Sequence, residues 1–270
     1  MKLMYFGDVM GKSGRSGLEQ NLPMLLEKLS PDFVMVNGEN AAHGFGITEK
    51  ICNQFFDLGV DVITTGNHAW DQREIINYID DEPRLLRPLN YPELTPGQGA
   101  GLFEARNGAK VFVAQIMGRL FMDSLDDPFV AIDKALKKHT LGETMDCAVV
   151  DIHAEATSEK MAVGQYLTGR VSMVVGTHSH IPTADAQILP DGTAYQTDLG
   201  MCGDYDSVIG MKLGAAIGRF MKKMPSERLS PAEGEATVCG VYLETDDATG
   251  QATRMEPIRV GGRLAEQLPS

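Results

Sequence analysis

Side chains that can bind a metal ion or transfer a proton follow five short apolar runs of this chain. The five loops are Gly7-Asp8, Asn37-Gly38-Glu39-Asn40, Gly66-Asn67-His68, the loop that starts at His153, and Gly176-Thr177-His178-Ser179-His180. Four of the six histidines lie in these loops, which a random distribution would rarely produce. Carboxylate oxygens, amide oxygens and imidazole nitrogens together suit Mn, Fe, Zn or Co better than Ca. The loops therefore form one candidate site for divalent transition ions.

The apolar runs before these loops are predicted to be strands that are covered on both faces, because they are almost continuously apolar. The predicted strands are Leu3–Phe6, Phe33–Val36, Val60–Thr64, Val111–Ile116, Ala148–Ile152 and Val171–Val175. In an open α/β sheet the carboxyl ends of the strands form the ligand crevice. We therefore expect the five loops to converge in space.

Helical stretches separate the predicted strands, which is typical of an α/β domain. The predicted helices are Gly17–Leu29, Glu49–Leu58, Asp71–Ile79, Pro128–His139 and Glu159–Leu167. Two hairpins are predicted later in the chain, and they pair Ala186–Leu189 with Thr193–Thr197 and Val238–Thr245 with Ala252–Val260. The pattern predicts a mixed α/β sandwich, and the length of 270 residues suits a single domain over residues 1–270.

Each candidate ligand also has an ordinary structural explanation. Asp8 could cap a helix, Asn67 could be a turn residue, and His153 or His178 could be a hydrogen-bonded histidine of the core. A joint structural explanation would need five coincidences at one edge of the sheet. A carboxylate can instead bridge two ions about 3.5–4 Å apart, and such a pair activates a water and polarises a phosphoryl group.

The triplet Gly11-Lys12-Ser13 suggests a nucleotide-binding P-loop, but its spacing is wrong. The P-loop pattern needs a glycine five positions before Gly11, and that position is Phe6. Gly7 comes one residue too late, so the loop is too short to wrap phosphates in the same way. A P-loop remains a remote alternative.

The composition narrows the class of protein. The net charge of −13 argues against a protein that grips long nucleic acid, although a small anionic substrate is compatible with bound metal. The four cysteines form no C-x-x-C pair, and Cys147 and Cys239 are predicted to be buried thiols. We expect no signal peptide before the first strand, and no apolar run approaches the ~18 residues of a membrane span. We expect a cytoplasmic protein without a membrane segment.

The ordered set of motifs resembles the calcineurin-like metallophosphoesterase superfamily, and most closely its bacterial YmdB-like branch. The motifs that carry the resemblance are GDVMGKSGR, VNGENAAHGFGIT, TTGNHAWD, HAEATSEK, VGTHSHIPTAD and TDLGMCGDYDSVIGM, which run through nearly the whole chain. Two positions depart from the wider superfamily, since Met10 replaces a usual histidine ligand and Glu39 replaces a usual bridging aspartate. The branch shares both changes, so they concern the choice of metal.

The resemblance implies a four-layer α/β/β/α sandwich, with a metal site at the strand ends, and hydrolysis of phosphodiesters such as 2′,3′-cyclic AMP or GMP. Two divalent ions are implied, Fe or Mn first and then Zn or Co. By position, the first would be held by Asp8, Glu39, Asn40 and His180, and the second by Glu39, Asn67, His153 and His178. A hydroxide between the ions would attack phosphorus in line. His68 would protonate the leaving oxygen.

Several alternatives stay open at this point. The same site could serve a phosphomonoesterase or protein phosphatase, or a regulatory protein that senses a cyclic nucleotide. The resemblance also suggests a homo-oligomer. The apolar stripe Ile209, Leu213, Ile217 and Phe220 has helical spacing and could be core or an oligomer contact.

Other polar and aromatic residues near the site are ambiguous. Lys12 and Arg15 could contact substrate phosphate or form a solvated loop face, and His43 could touch a base or cover its loop. Glu155 could orient His153 or face water, and Trp70 is expected to pack under its loop. Asp198 and Asp206 could rim the site.

Overall fold

Two six-stranded mixed sheets carry the candidate site in the computed structural model, which describes residues 1–222 and 227–270. The strands are β1 (Lys2–Phe6), β2 (Asp8–Val9), β3 (Phe33–Asn37), β4 (Val62–Thr64), β5 (Leu85–Leu86), β6 (Ala100–Glu104), β7 (Lys110–Met117), β8 (Cys147–His153), β9 (Met173–Thr177), β10 (Gln187–Ile188), β11 (Ala194–Gln196), β12 (Met201–Cys202), β13 (Val238–Thr245) and β14 (Ala252–Val260). The helices are α1 (Gly11–Leu29), α2 (Glu49–Asp57), α3 (Ile75–Tyr78), α4 (Pro128–Leu136), α5 (Thr157–Leu167) and α6 (Leu213–Lys222).

The first sheet has the order β14-β13-β1-β3-β4-β5, and the second has the order β10-β11-β9-β8-β7-β6. Strands β1, β3, β4 and β5 are parallel, as are β7, β8, β9 and β11, while antiparallel strands complete the sheets. Parallel neighbours end at the same edge, so the loops that follow β1, β3, β4, β8 and β9 are brought together. The fold is thus α/β with mixed sheets, as predicted.

Alternation along the strands explains how the sheets pack. Leu3 and Tyr5 of β1 lie in a core cluster with Val113 and Val149 of the second sheet, so these side chains fill the space between the sheets. The alternate residues of β1 point the other way, into a cluster that includes Leu18 of α1. A third cluster joins the outer face of the second sheet to α4 and α5. Period-2 alternation therefore gives each sheet two buried faces.

The predicted elements are largely present, with shifted ends. Both predicted hairpins form, as β10–β11 and β13–β14. The prediction for residues 71–79 was too long, since the α-helix covers only Ile75–Tyr78. The side chains of Asp71 and Gln72 bond instead to His68 and to the Phe45 carbonyl, which holds the preceding residues as a turn. The prediction of a strand ending at Val175 was also too short, because β9 continues beside β8 to Thr177.

The first helix begins at Gly11 and not at Gly17, so Gly11-Lys12-Ser13 forms its first turn. The Ser13 hydroxyl donates to the Gly234 carbonyl at 2.7 Å, which gives the triplet a structural role. The helix N-cap is Met10, with no side-chain cap, and Asp8 belongs to β2. Asp8 is therefore not a helix cap.

Buried thiols and an exposed apolar face complete the comparison with the sequence. Cys147 and Cys239 are buried and free, as predicted, and so are Cys52 and Cys202. The stripe Ile209, Leu213, Ile217 and Phe220 is at least 44% exposed at every position, so its interpretation as core was wrong. The oligomer contact stays a prediction. None of the helices within the described ranges is long and apolar enough to span a bilayer.

Candidate metal centre

Two groups of potential metal ligands meet at the edge where the parallel strands end. In the first group, ligand atoms of Glu39, His153 and His178 all lie within 4.8 Å of one another. In the second, the same limit holds for Asp8, Glu39 and His180. Glu39 belongs to both groups, and its side chain is buried. The arrangement can therefore hold cations on two sides of one carboxylate.

The first group surrounds the Nε2 atom of His153. Asn67 Oδ1 lies 2.9 Å from this atom, Glu39 Oε2 lies 3.2 Å from it, and His178 Nδ1 also lies 3.2 Å from it. All of these atoms can present lone pairs to the space between them. A cation is the partner that such a set of nitrogen and oxygen atoms accommodates.

The second group contains an orphaned carboxylate oxygen. Asp8 Oδ1 is buried and has no hydrogen-bond partner among the residues that the structure describes, whereas Asp8 Oδ2 accepts the His178 backbone N–H at 3.2 Å. Buried polar atoms are normally satisfied. The side-chain NH₂ of Asn40 donates to the Gly44 carbonyl, which turns Asn40 Oδ1 towards His180 Nε2 at 3.2 Å. A metal ion would satisfy these atoms.

Hydrogen bonds on the far side of each ring decide which nitrogen faces the site. His153 Nδ1 lies 2.8 Å from Thr177 Oγ1, and His180 Nδ1 lies 2.8 Å from the Ile209 carbonyl. Both rings thus turn Nε2 inward. His178 is reversed, because its Nε2 lies 3.3 Å from Glu155 Oε2 and its Nδ1 faces His153. Such outer partners fix the tautomer of a ligating histidine.

The backbone around the two last histidines is strained. His178 and His180 have φ angles of 95° and 66°, in the left-handed region that favours glycine. Such conformations persist only where the surroundings hold them, and they cluster at functional sites. The loop turns between the two residues, so His178 reaches the first group and His180 reaches the second.

Gly66 leaves room for a ligand between the side chains. A Cβ atom at this position would lie 2.2 Å from Glu39 Oε2 and 2.4 Å from His153 Nε2. Any larger residue would therefore fill the centre of the first group. Glycine is required here by the close approach of the side chains and not by a turn.

The electrostatics of the buried groups are strongly perturbed. Burial raises the pKa of Asp8 to about 7, although the nearby His180 and His153 rings oppose this shift. Burial also disfavours a charged Glu39 and a charged His153, but their mutual attraction dominates. The attraction between Glu39 and His153 lowers the pKa of Glu39 to about 2 and raises the pKa of His153 to about 9. Burial and the His153 charge lower the pKa of His178 to about 3, so that its ring is neutral.

His68 lies beside the metal groups and belongs to neither. Its backbone N–H donates to Glu39 Oε2 at 3.2 Å, and its Nδ1 lies 2.8 Å from Asp71 Oδ2. The Phe45 ring meets the imidazole edge-on, with centroids 5.1 Å apart. The side chain is 27% exposed, so the ring is held in place and still reaches solvent.

The structure shows the surroundings of several ambiguous residues. Glu155 pairs with His178 and is about half exposed, so of its two alternatives the orientation of His153 is not supported. Trp70 packs against Tyr91, with ring centroids 6.2 Å apart, as expected. The half-buried Arg15 side chain donates to the Ala41 carbonyl in the loop after Asn40. Lys12 and His43 are exposed.

Asp198 and Asp206 have different surroundings. Asp198 is fully buried, and its carboxylate lies 2.7 Å from Lys160 Nζ and accepts the Ser179 and Gly200 N–H groups. Through the Ser179 N–H, Asp198 therefore holds the loop that carries His178 and His180. Asp206 is exposed and pairs with Arg263.

Sequence reasoning missed the polar residues beneath the site. Asp151 and Thr177 are fully buried and hydrogen-bonded to each other, and Lys160 is the buried partner of Asp198. The available signal was an aspartate inside the otherwise apolar run CAVVDIH, since a charge is rarely buried without a specific partner.

Comparisons with known proteins find similar sequences and structures along nearly the whole chain. A family model described as YmdB-like protein matches residues 4–258. The chain is 46% identical over 260 residues to the 2′,3′-cyclic-nucleotide 2′-phosphodiesterase of Bacillus subtilis strain 168, and the match covers 96% of this chain and 97% of that relative.

Two solved structures are similar over nearly their whole length. A hypothetical protein from Thermus thermophilus has a TM-score of 0.90 and 40% identity, and the match covers 97% of this chain and 100% of that chain. A phosphatase from Mycoplasma pneumoniae has a TM-score of 0.90 and 35% identity, with coverages of 97% and 93%.

Proposed function

Because the chain belongs to the YmdB-like family, we propose that it is a metal-dependent phosphodiesterase that hydrolyses small 2′,3′-cyclic nucleotides. By its relationship to the Bacillus subtilis enzyme, the chain is a phosphoric diester hydrolase. The observation that carries the proposal is the buried Glu39 carboxylate, which is shared by two groups of potential metal ligands. The name of that relative supports the substrate class.

The two groups define the proposed ligand sets. Asp8, Glu39, Asn40 and His180 would hold one ion, and Glu39 would bridge to the other. The second ion would be held by Glu39, Asn67, His153 and His178. The mixture of carboxylate, amide and imidazole donors suits Mn, Fe, Zn or Co, and the family resemblance puts Fe or Mn first. The orphaned Asp8 Oδ1 and the space beside Gly66 support this fit.

The ions, when bound, would activate a water and neutralise charge on the phosphoryl oxygens. The chain's own contribution is a rigid frame, because the ligand side chains are bonded from behind and mostly buried. A frame of this kind holds charged groups in place before the reaction, so little reorganisation is needed in the transition state.

His68 is the proposed general acid. Asp71 holds Nδ1, which leaves Nε2 of the ring to carry the proton that is given to the leaving oxygen. The edge-on Phe45 ring limits rotation of the imidazole. Protonation matters because an alkoxide is a poor leaving group at neutral pH.

The test is hydrolysis of 2′,3′-cyclic AMP by Mn²⁺-reconstituted protein, with the product position determined by chromatography. We expect the 3′-monophosphate, because the relative's name places cleavage at the 2′ ester. Absence of turnover with both ions bound would refute the diesterase assignment. Bound cyclic nucleotide without turnover would point to a regulatory protein.

The structural relationship to a Mycoplasma pneumoniae phosphatase favours a second candidate, a phosphomonoesterase on the same site. Parallel assays with 3′-AMP and 2′,3′-cyclic AMP would separate the two functions. Preferential release of phosphate from 3′-AMP would favour the monoesterase.

We further propose that residues 1–270 form one catalytic domain of the four-layer α/β/β/α type, with the metal site at the strand ends. The core clusters on both sides of each sheet support this arrangement. A cytoplasmic location and a homo-oligomer built on the exposed α6 face remain part of the same proposal.

A further inference from the structure

A carboxylate lies buried between the two sheets, directly beneath the metal centre. Asp151 belongs to β8 and is fully buried, and no lysine or arginine of the described residues forms an ion pair with it. Five side chains bond to it, and four of them lie within 3.1 Å. Tyr5, Gln115 and Thr64 contact Oδ2 at 2.5, 3.0 and 3.1 Å, and Thr177 contacts Oδ1 at 2.8 Å. Burying a charged carboxylate without a lysine or arginine partner is unfavourable, so its role needs an explanation beyond packing.

The direction of these hydrogen bonds follows from the chemistry of the partners. The amide NH₂ of Gln115 can only donate, so Asp151 Oδ2 is an acceptor. With Asp151 ionised, its Oδ1 can only accept, so the single hydroxyl hydrogen of Thr177 points to it. Thr177 Oγ1 therefore offers a lone pair to His153 Nδ1, which lies 2.8 Å away. His153 Nδ1 must then carry a hydrogen, so that in the neutral ring Nε2 is the nitrogen with the lone pair.

The hydrogen bonds from Asp151 to Thr177 and from Thr177 to His153 form a relay of three side chains, and the strand register brings these side chains together. His153 of β8 is directly opposite Thr177 of β9, and Asp151 lies two residues earlier on the same face of β8. Asp151 is also linked to Glu39 through Asn37. The Asn37 NH₂ lies 3.4 Å from Asp151 Oδ2, and Asn37 Oδ1 accepts the Glu39 backbone N–H at 3.0 Å. The carboxylate is thus linked to two ligands of the same proposed ion.

We propose that Asp151, acting through Thr177, fixes His153 as the Nδ1–H tautomer and thereby presents Nε2 to the ion shared with Glu39, Asn67 and His178. Asp151 and Thr177 are positioning residues, since neither touches substrate or metal. The proposal rests on the metal-dependent function proposed above. Loss of such outer partners weakens metal binding by about 10- to 100-fold.

The sharpest variant is Asp151→Asn, because the surrounding donors dictate how the new amide sits. The donor-only Gln115 and Asn37 groups face the Oδ2 side, so the amide oxygen takes that side. Its NH₂ then faces Thr177, which must turn its hydroxyl hydrogen towards His153 Nδ1. This reverses the preferred tautomer without changing the size of the side chain.

Thr177→Val removes the relay in a second way and keeps the side-chain shape, whereas Thr177→Ser keeps the hydroxyl. Tyr5→Phe is the matched control, since it removes a hydrogen bond to Asp151 Oδ2 and leaves the Oδ1–Thr177–His153 hydrogen bonds in place. Mn²⁺ binding at both sites would be measured by equilibrium dialysis. The ring nitrogens of His153 would be examined by ¹⁵N NMR of Zn²⁺-loaded wild-type protein, with His153→Gln for assignment.

We expect Asp151→Asn and Thr177→Val to weaken one of two Mn²⁺ sites about 10- to 100-fold. Thr177→Ser and Tyr5→Phe should bind as the wild type does. The wild-type spectrum should show a hydrogen on Nδ1 of His153 and the metal on Nε2. If Asp151→Asn does not fold, the comparison of Mn²⁺ affinity between Thr177→Val and Thr177→Ser tests the relay instead.

Wild-type affinity in both Asp151→Asn and Thr177→Val would overturn the relay, as would metal on Nδ1 of His153. An equal loss in Tyr5→Phe would overturn it too, because the effect would then be a general weakening of the core. These outcomes are distinct from failure of the proposed function. Wild-type protein that binds both ions through this tautomer but does not cleave the diester would refute the function and support the relay.

Discussion

Gly66→Ala is predicted to disrupt metal binding through the addition of one methyl group. The Cβ atom would lie 2.2 Å from Glu39 Oε2, 2.4 Å from His153 Nε2 and 2.5 Å from His153 Cε1, whereas ordinary contacts start at 3.4 Å. Each of these contacts is too short by about 1 Å. Glu39 and His153 are fully or almost fully buried, so neither can move away freely.

The size of the effect follows from this shortfall. Metal–ligand distances must lie within about 0.2 Å of their preferred values, so a displacement of about 1 Å in two ligands of one ion is incompatible with the site. A misplacement of that size costs about 10²-fold in rate. We expect loss of one of the two ions and a decrease in turnover of at least about 100-fold.

The assay combines equilibrium dialysis with Mn²⁺ and hydrolysis of 2′,3′-cyclic AMP. Gly218→Ala in α6 is the matched control, because its added Cβ would meet nothing within 4 Å. Alanine is a better helix former than glycine, so this control should fold at least as well as the wild type. Thermal unfolding of both variants would show whether Gly66→Ala is folded.

Two bound Mn²⁺ ions and wild-type turnover in Gly66→Ala would refute the location of the ion between Glu39 and His153. Loss of activity with both ions retained would also contradict the reasoning, since the methyl group is expected to act on the metal. A folded variant with one ion and little activity is the predicted result.

His68→Ala should retain both ions and lose about 10²- to 10⁴-fold in turnover, most on substrates with poor leaving groups. The number of bound ions and the rate of hydrolysis would be measured on the same variant. Loss of the ions would disprove the assignment of His68 as the general acid. Burial disfavours a charged His153, but Glu39 outweighs burial and raises the pKa of His153 to about 9, so Mn²⁺ must displace a proton from this ring. The affinity for Mn²⁺, measured by titration calorimetry, should therefore fall about tenfold per pH unit below pH 9. An affinity that does not change with pH would contradict this. In metal-free protein the same raised pKa gives stability that is complete below the ordinary value of 6.5 and is lost as the pH rises through about 9, which urea unfolding at several pH values would measure. Glu39→Gln should bind neither ion tightly. Chelation should therefore lower the melting temperature of the wild type but not of this variant, because an ion at 100 times its Kd adds about 2.7 kcal/mol to the free energy of unfolding.

The sequence was sufficient to predict the class of fold and the candidate ligands. Apolar runs and their polar ends identify strands and loops, and parallel strands bring their carboxyl ends to one edge. Asp8, Glu39 and His180 could therefore be placed together without coordinates, as could the group that contains His153. The roles of these residues as ligands remain predictions.

The tertiary structure decided which atoms face each other. Glu155 pairs with His178 and not with His153, and the His178 ring is reversed relative to the other two. The stripe that includes Leu213 and Phe220 proved exposed, since helical spacing identifies an apolar face but not what covers it.

The relay beneath the site shows the physical reason for this division. Tyr5 and Asp151 are 146 residues apart and belong to different sheets, yet their side chains meet at 2.5 Å. Periodicity in the sequence tells which face of a strand a residue occupies. The partner across that face depends on sheet order, register and the stacking of the two sheets, and these exist only once the chain has folded.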